Sequence, residues 1–357
     1  MRSCKRCLLP EAVPGSGLDA SGICGPCREF AETNPALHEE IRKAREADLE
    51  QTIQSSPGKA EYDCLVCLSG GKDSIYLLYK LKAEYGLRVL AFTTYINIPD
   101  IAWRNIRRTV EKLGVDHLVY NPPREFYRKF FRYLLQNQDR SGAVRTVCYV
   151  CAPLFEGHAL TVATEKQIPV IFAGYSPGQP EEERMVYEFS RQLIERTDWT
   201  PKSLKASGLF DESELARFWS PFRYPSGTQF PRFIAPFHAW PYSQEEVMKK
   251  VVALGLVESN KAASPIHSNC PVNWLLMYSD LKNLGYNPYN PEFSRLIREG
   301  KANRFYWKMM LPAVNFMIRK KIGLGRQVAQ SLRWLGLEPK DLVIRKSESK
   351  EVSYARA

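Results

Sequence analysis

A six-residue turn, Ser69-Gly70-Gly71-Lys72-Asp73-Ser74, restricts the fold of this chain more than any other feature. Before it, Tyr62–Leu68 reads as a short apolar strand; after it, Ser74–Tyr85 reads as a helix ended by Gly86. A strand that passes through two glycines into a helix gathers free backbone N–H groups and the positive end of the helix dipole at one spot. The glycines let an anion come close to the backbone. Ser69 and Ser74 add hydroxyl donors, and Lys72 adds positive charge. The turn is not a Walker A loop, because that motif's longer Gly-to-Gly-Lys spacing is absent.

The alternation continues downstream. Leu87–Tyr95 is a β-rich strand, and Ile101–Leu113 is a helix closed by Gly114. Val115–Tyr120 reads as a strand and Glu125–Gln136 as a helix. A further helix lies near Leu154–Lys166, and Ile168–Ala173 is a buried strand followed by Gly174. Repeated units of this kind predict an α/β fold, a doubly wound parallel sheet covered on both faces. Its ligand belongs beyond the carboxyl ends of the strands. Thr93 and Gly174 lie at two such ends. Ala36–Gln54 reads as a helix, residues 177–233 as an irregular insertion near the site, and Ser243–Leu254 as a helix started by a capping box. The remaining C-terminal part reads as mostly helical.

The 357 residues suit one large domain with appendages, or two domains. Hydrophobic residues make up 44% and charged residues 25%, the balance of a soluble globular protein. No membrane-spanning run and no signal-peptide core are read, so a cytoplasmic enzyme is expected. The net charge of +11 would serve nucleotides, nucleic acid or an anionic surface. Residues 316–357 hold ten Lys/Arg and four Asp/Glu, a basic tail that is also read as a solvated face.

Eight of the nine cysteines form four C-x-x-C pairs. Cys4/Cys7 and Cys24/Cys27 stand sixteen residues apart, a spacing that predicts a structural Cys₄ zinc site. Cys64 and Cys67 lie on the first strand, face opposite ways and read as core residues. Cys148 and Cys151 are expected in a loop before a helix, with Cys270 far away in sequence. These three could hold zinc, supply one reactive thiolate, or simply be buried. His158 and His267 near them are open as orienting or structural groups, and Glu181–Glu183 as a solvated charge run.

The turn resembles the S-G-G-x-D-S signature of the PP-loop ATP pyrophosphatases. The resemblance implies ATP binding with pyrophosphate release through Ser69, Gly70, Gly71, Lys72, Asp73 and Ser74, with Asp73 organising Mg²⁺. It also implies contacts to the nucleotide at Thr93 and Gly174. The run Cys4-Lys5-Arg6-Cys7-Leu8-Leu9-Pro10, with Gly22-Ile23-Cys24-Gly25-Pro26-Cys27, is similar to the start of the N-acetyl sugar amidotransferases of surface-polysaccharide synthesis. That likeness continues through Tyr62–Ser74 and Ile168–Gly174, and weakly in Asn283–Asn303. It implies replacement of a sugar amide oxygen by nitrogen, with ammonia from a glutaminase partner. Cys148, Cys151 and Cys270 resemble the set that holds a 4Fe-4S cluster in PP-loop tRNA thiolation enzymes. The amidotransferase pattern lacks this C-x-x-C, which favours sulfur.

Together these readings predict a zinc ribbon at 1–34, a linker helix at 35–60, a PP-loop domain at 61–260 and a helical region with a basic tail at 261–357. Lys72, Asp73, Cys148, Cys151 and Cys270 are the expected catalytic set. The expected reaction is adenylation of a substrate oxygen, then its replacement by sulfur or, alternatively, nitrogen. The acceptor would be a nucleotide sugar, a nucleobase or tRNA, with a glutaminase or sulfur-donor partner and no membrane. A third reading is an RNA-binding module with a vestigial ATP site.

Overall fold

The computed structural model describes residues 2–33, 35–177, 179, 185–264 and 269–345. Glu181–Glu183 and His267 lie outside the described residues. Five strands form one parallel sheet: β1 (Cys64–Cys67), β2 (Val89–Thr94), β3 (Asp116–Tyr120), β4 (Val170–Ala173) and β5 (Arg232–Ile234). Their order is β3-β2-β1-β4-β5, so the winding reverses between β1 and β4. This is the doubly wound α/β sheet expected from the alternation. Inserted residues 177–233 are less irregular than expected, since β5 falls at their end and three short helices lie among them.

In chain order the helices are α1 (Gly25–Glu32), α2 (Pro35–Ser55), α3 (Lys72–Tyr79), α4 (Asp100–Leu113), α5 (Arg124–Gln136), α6 (Ala143–Glu165), α7 (Arg191–Arg196), α8 (Lys202–Ala206), α9 (Glu212–Leu215) and α10 (Gln244–Ala253). Then follow α11 (Asn273–Asn283), α12 (Asn290–Arg298), α13 (Arg304–Lys320) and α14 (Arg326–Leu335). Lys80–Glu84 extends α3 as a π-turn. Ser243 caps α10 by accepting from the Glu246 N–H.

Side-chain alternation along the strands builds two cores. Cys64, Val66, Val89, Ala91 and Phe172 face one, while Leu65, Leu90, Phe92, Ile171 and Ala173 face the other. Cys67 packs against the second core and Cys64 sits in the first, so the strand pair is divided as expected. The larger core runs from Leu49 to Leu342 and joins the C-terminal helices to the sheet. By length and composition alone, α6 is long and apolar enough to cross a membrane. Here it packs against α5, α11 and the strands β1, β2 and β4, as a core helix.

Candidate functional site

The turn after β1 is braced from within. Gly70 has φ +81°, and a Cβ on it would lie 2.4 Å from the carbonyl oxygen of Ala102. Glycine alone meets both conditions. The Ser69 N–H donates to Ser74 Oγ at 3.2 Å, and Ser74 Oγ donates to the Gly71 carbonyl at 3.1 Å. Asn105 of α4 donates to the Gly70 carbonyl at 3.1 Å and holds it back. The first-turn amides of α3 have no intrahelical acceptor, so the turn presents donors to an anion.

Lys72 is only 7% exposed, and its Nζ lies 2.6 Å from Asp73 Oδ2. Tyr242 donates to the other Asp73 oxygen at 2.9 Å. Both carboxylate oxygens are therefore engaged. For Asp73 to hold a magnesium ion, Lys72 or Tyr242 must give way, and Lys72 has a nucleotide phosphate as its natural new partner.

Gly174 follows β4 at the reversal point. A Cβ there would lie 2.7 Å from the Ser74 nitrogen and 3.0 Å from the Asp73 carbonyl carbon. Its small size is thus used against the start of α3, where the sequence suggested approach by a nucleotide. Thr93 is likewise committed within the sheet. Its hydroxyl donates to the Leu68 carbonyl at 2.6 Å, and His117 Nε2 lies 2.9 Å from the same oxygen. With the hydroxyl hydrogen spent on Leu68, His117 is the donor to Thr93.

A cavity of about 1360 Å³ lies over these strand ends. Ordinary ligand pockets span about 300–1,000 Å³, so this one has room for two reactants. Ser69–Ser74, Thr93 and Gly174 line one side, and Cys148, Cys270 and Glu292 line another. Leu9, Val13 and Pro14 close it from the N-terminal module, and Trp307, Leu311 and Val314 of α13 close it from the C-terminal helices.

Cys148 and Cys151 are not in a loop, contrary to the sequence expectation. α6 begins ten residues before Pro153, at Ala143, and takes in both cysteines. Proline commonly breaks a helix, but this one continues through Pro153. Three residues apart on a helix, the two thiols share a face. Cys151 is 6% exposed, behind Cys148. Burial pushes the Cys151 thiol well up, and negative charge on Cys270 or Cys148 would push it further. Burial also raises Cys270, to about 11, against the pull of the Val272 and Asn273 N–H groups. Such thiols ionise only with a cation to meet them. Among the described residues, these three do not form a group whose ligand atoms all lie within 4.8 Å.

The N-terminal cysteines do form a tight group. The sulfurs of Cys4, Cys7, Cys24 and Cys27 all lie within 4.8 Å of one another and are buried. Cys4 and Cys27 are 3.8 Å apart, and Cys7 and Cys24 are 3.5 Å apart. Tetrahedral zinc with bonds of about 2.3 Å sets its sulfurs roughly 3.8 Å apart. Burial opposes ionisation of Cys4, but backbone N–H groups of Cys7, Cys24 and Arg6 outweigh it and bring the thiol to about 6. The module rests on the C-terminal helices through Ile297 and Trp307, and Arg298 Nη1 lies 3.9 Å from Cys7 Sγ.

Two residues at the site escaped the sequence reading. Tyr242 holds Asp73, as described. Glu292 accepts from Gln179 Nε2 at 2.6 Å. Burial raises its carboxyl to about 7, with Lys72 pulling down and Asp73 pushing up, so it sits beside the phosphate turn. Its one signal was the weak likeness in Asn283–Asn303. His158 is buried, with Nδ1 3.3 Å from Thr94 Oγ1, and burial lowers its pKa to about 3.

No family model matches the chain, and no curated protein matches it. Among solved structures, the chain is similar to the U34-tRNA thiolase NcsA from Methanococcus maripaludis with its 4Fe-4S cluster, at 16% identity and a TM-score of 0.38, over 95% of this chain and 91% of that one. It is also similar to NMN synthetase from Francisella tularensis, at 10% identity and a TM-score of 0.37, over 87% of this chain and 98% of that one. NH3-dependent NAD synthetase from Campylobacter jejuni shows 11% identity and a TM-score of 0.36, over 85% of this chain and 97% of that one. At these scores the likeness is distant and adds no weight to the geometry of the site.

Proposed function

We propose that this chain is a PP-loop ATP pyrophosphatase that adenylates an acceptor oxygen and then replaces that oxygen with sulfur. One observation carries the reading: the phosphate turn and the thiols of Cys148 and Cys270 open into a single cavity with room for a nucleotide and an acceptor.

ATP would place its β- and γ-phosphates on Ser69–Ser74. The acceptor oxygen attacks the α-phosphorus, and the bond from that phosphorus to the bridging oxygen breaks. Pyrophosphate leaves onto the amides of the turn, while Lys72, freed from Asp73, meets the growing charge. Asp73 is then available to magnesium, with Glu292 close by. The incoming nucleophile displaces AMP, which carries the acceptor oxygen away. Cys148, Cys151 and Cys270 would hold a 4Fe-4S cluster, whose fourth iron supplies a position for a sulfur atom. Cys4, Cys7, Cys24 and Cys27 would hold structural zinc.

The second reading, transfer of nitrogen from ammonia onto a sugar amide, is favoured by a different observation. Leu9 and Pro26, which belong to the runs similar to the sugar amidotransferases, form part of the cavity wall.

Anaerobic purification with metal analysis tests both. The sulfur reading expects a brown protein with about four irons and one zinc, whose visible absorption is lost in Cys270→Ala. Zinc alone, with turnover supported by ammonium salts, sinks the sulfur reading and favours nitrogen. Release of ADP rather than AMP and pyrophosphate would overturn both.

A further inference from the structure

The outward face of α13 has a composition that the chemistry in the cavity does not explain. From Gly300 to Leu337 the chain has eight Lys/Arg and no Asp or Glu. This single stretch holds most of the net positive charge of +11. Within it, Trp307, Val314 and Ile318 bury one side of α13. The opposite side carries Phe305, Met309 and Phe316, which are 73%, 59% and 57% exposed with respect to the described residues. Ile322, just past the helix, is 46% exposed.

The arrangement is ordered. At about 100° per residue, Phe305, Met309, Pro312 and Phe316 fall within roughly 60° of one another. Lys308 and Arg319 border this stripe on one side, and Lys320 borders it on the other. More cations join at the N-terminal end. Arg304 donates to the backbone carbonyls of Lys5 and Arg6, bringing those two exposed residues alongside.

An exposed apolar stripe edged by cations is the pattern of a helix that lies in the plane of a lipid headgroup layer. The stripe would enter the acyl boundary while the lysines and arginines meet anionic headgroups. Phe305 and Phe316 offer rings, but Met309, Pro312 and Ile322 share the face and offer none, so the stripe is a continuous apolar surface rather than a row of stacking platforms. We infer that α13 docks the protein on an anionic membrane surface, edge-on, without spanning it. The inner side of the same helix lines the cavity through Trp307, Leu311 and Val314. A docked enzyme would therefore hold its cavity next to the lipid.

The test is co-sedimentation of the full chain with phosphatidylcholine vesicles, with and without phosphatidylglycerol. Binding is expected only with phosphatidylglycerol, and should fall as salt rises. Phe305→Ser/Met309→Ser/Phe316→Ser keeps every charge and should abolish it. Lys308→Glu/Lys320→Glu should weaken it about tenfold or more. Circular dichroism that matches the parent shows the variants folded. The inference is overturned if anionic vesicles leave the protein in solution, or if the serine variant binds as well as the parent. It also fails if poly(U) RNA binds more tightly than the vesicles, or if gel filtration shows a dimer that the serine variant dissociates.

Discussion

Asp280 caps the N-terminus of the helix that begins at Ala143. One carboxylate oxygen accepts from the Ala143 N–H at 2.5 Å and the other from the Val144 N–H at 3.0 Å. Asp280 is on α11, which starts three residues after Cys270, and α6 carries Cys148 and Cys151. One buried carboxyl thus fastens together the two segments that carry the three cysteines, of which Cys148 and Cys270 line the cavity. Gly142 makes room for it, since a Cβ there would lie 2.4 Å from Asp280 Oδ1.

Burial raises the Asp280 carboxyl to about 6, and the two N–H groups recover only part of the shift. The folded pKa exceeds the unfolded one, so between roughly pH 4 and 6 the native state keeps a proton that the unfolded state has lost. Stability should fall as pH rises through that window, by at most on the order of 2–3 kcal/mol, and level off above it. Asp280→Asn should flatten the slope while losing one of the two hydrogen bonds. Thermal melts from pH 4 to 7.5 read this directly; an unchanged slope in the variant would assign the titration elsewhere.

Gly70→Ala and Gly174→Ala should both damage the phosphate turn, by different routes. The first forces φ +81° on a residue with a side chain and meets Ala102. The second pushes the end of β4 off the start of α3. Each should cost more than about 1 kcal/mol of stability and nearly all pyrophosphate release. Gly71→Ala is the control, because a Cβ there meets only Ser69 Oγ at an ordinary 3.6 Å. If the control fails as badly as the others, close packing is not what these glycines supply.

Lys72→Met should lower kcat/KM for pyrophosphate release about 10²–10³-fold, the usual loss for a donor aimed at developing charge. Tyr242→Phe keeps the ring and deletes only the hydrogen bond to Asp73, so a loss under about tenfold is expected. Should Tyr242→Phe prove as damaging as Lys72→Met, the hydroxyl has a role beyond holding Asp73.

Strong chelation, or Cys24→Ser, should release one metal ion per chain and unfold the N-terminal module. A Cys₄ ion contributes about 10 kcal/mol or more to folding such a unit. Limited proteolysis should then cut within the first thirty or so residues while the sheet survives. Equal protease resistance with and without chelator would show that the module holds itself together.

The parallel sheet was legible because strand and helix periods alternate cleanly from Tyr62 to Ala173, with glycines at the joints. The glycine turn after β1 and the N-terminal cysteine set were legible for the same reason: each is local, and its spacing encodes its geometry. β5 was hidden because Arg232–Ile234 is only three residues long and is fixed by pairing with β4. The early start of α6 was hidden by Pro153, which local rules treat as a boundary. Glu292 and Tyr242 reach Lys72 and Asp73 only through tertiary folding, and no short-range pattern records such contacts.

The cavity wall is assembled from both ends of the chain, with Leu9 and Val13 on one part and Trp307 and Leu311 on another. Neither end alone can seal it. An adenylated intermediate in such a chamber is safe from hydrolysis only while the seam stays shut. A clipped or metal-depleted protein would therefore become a leaky machine, consuming ATP and handing the activated group to water.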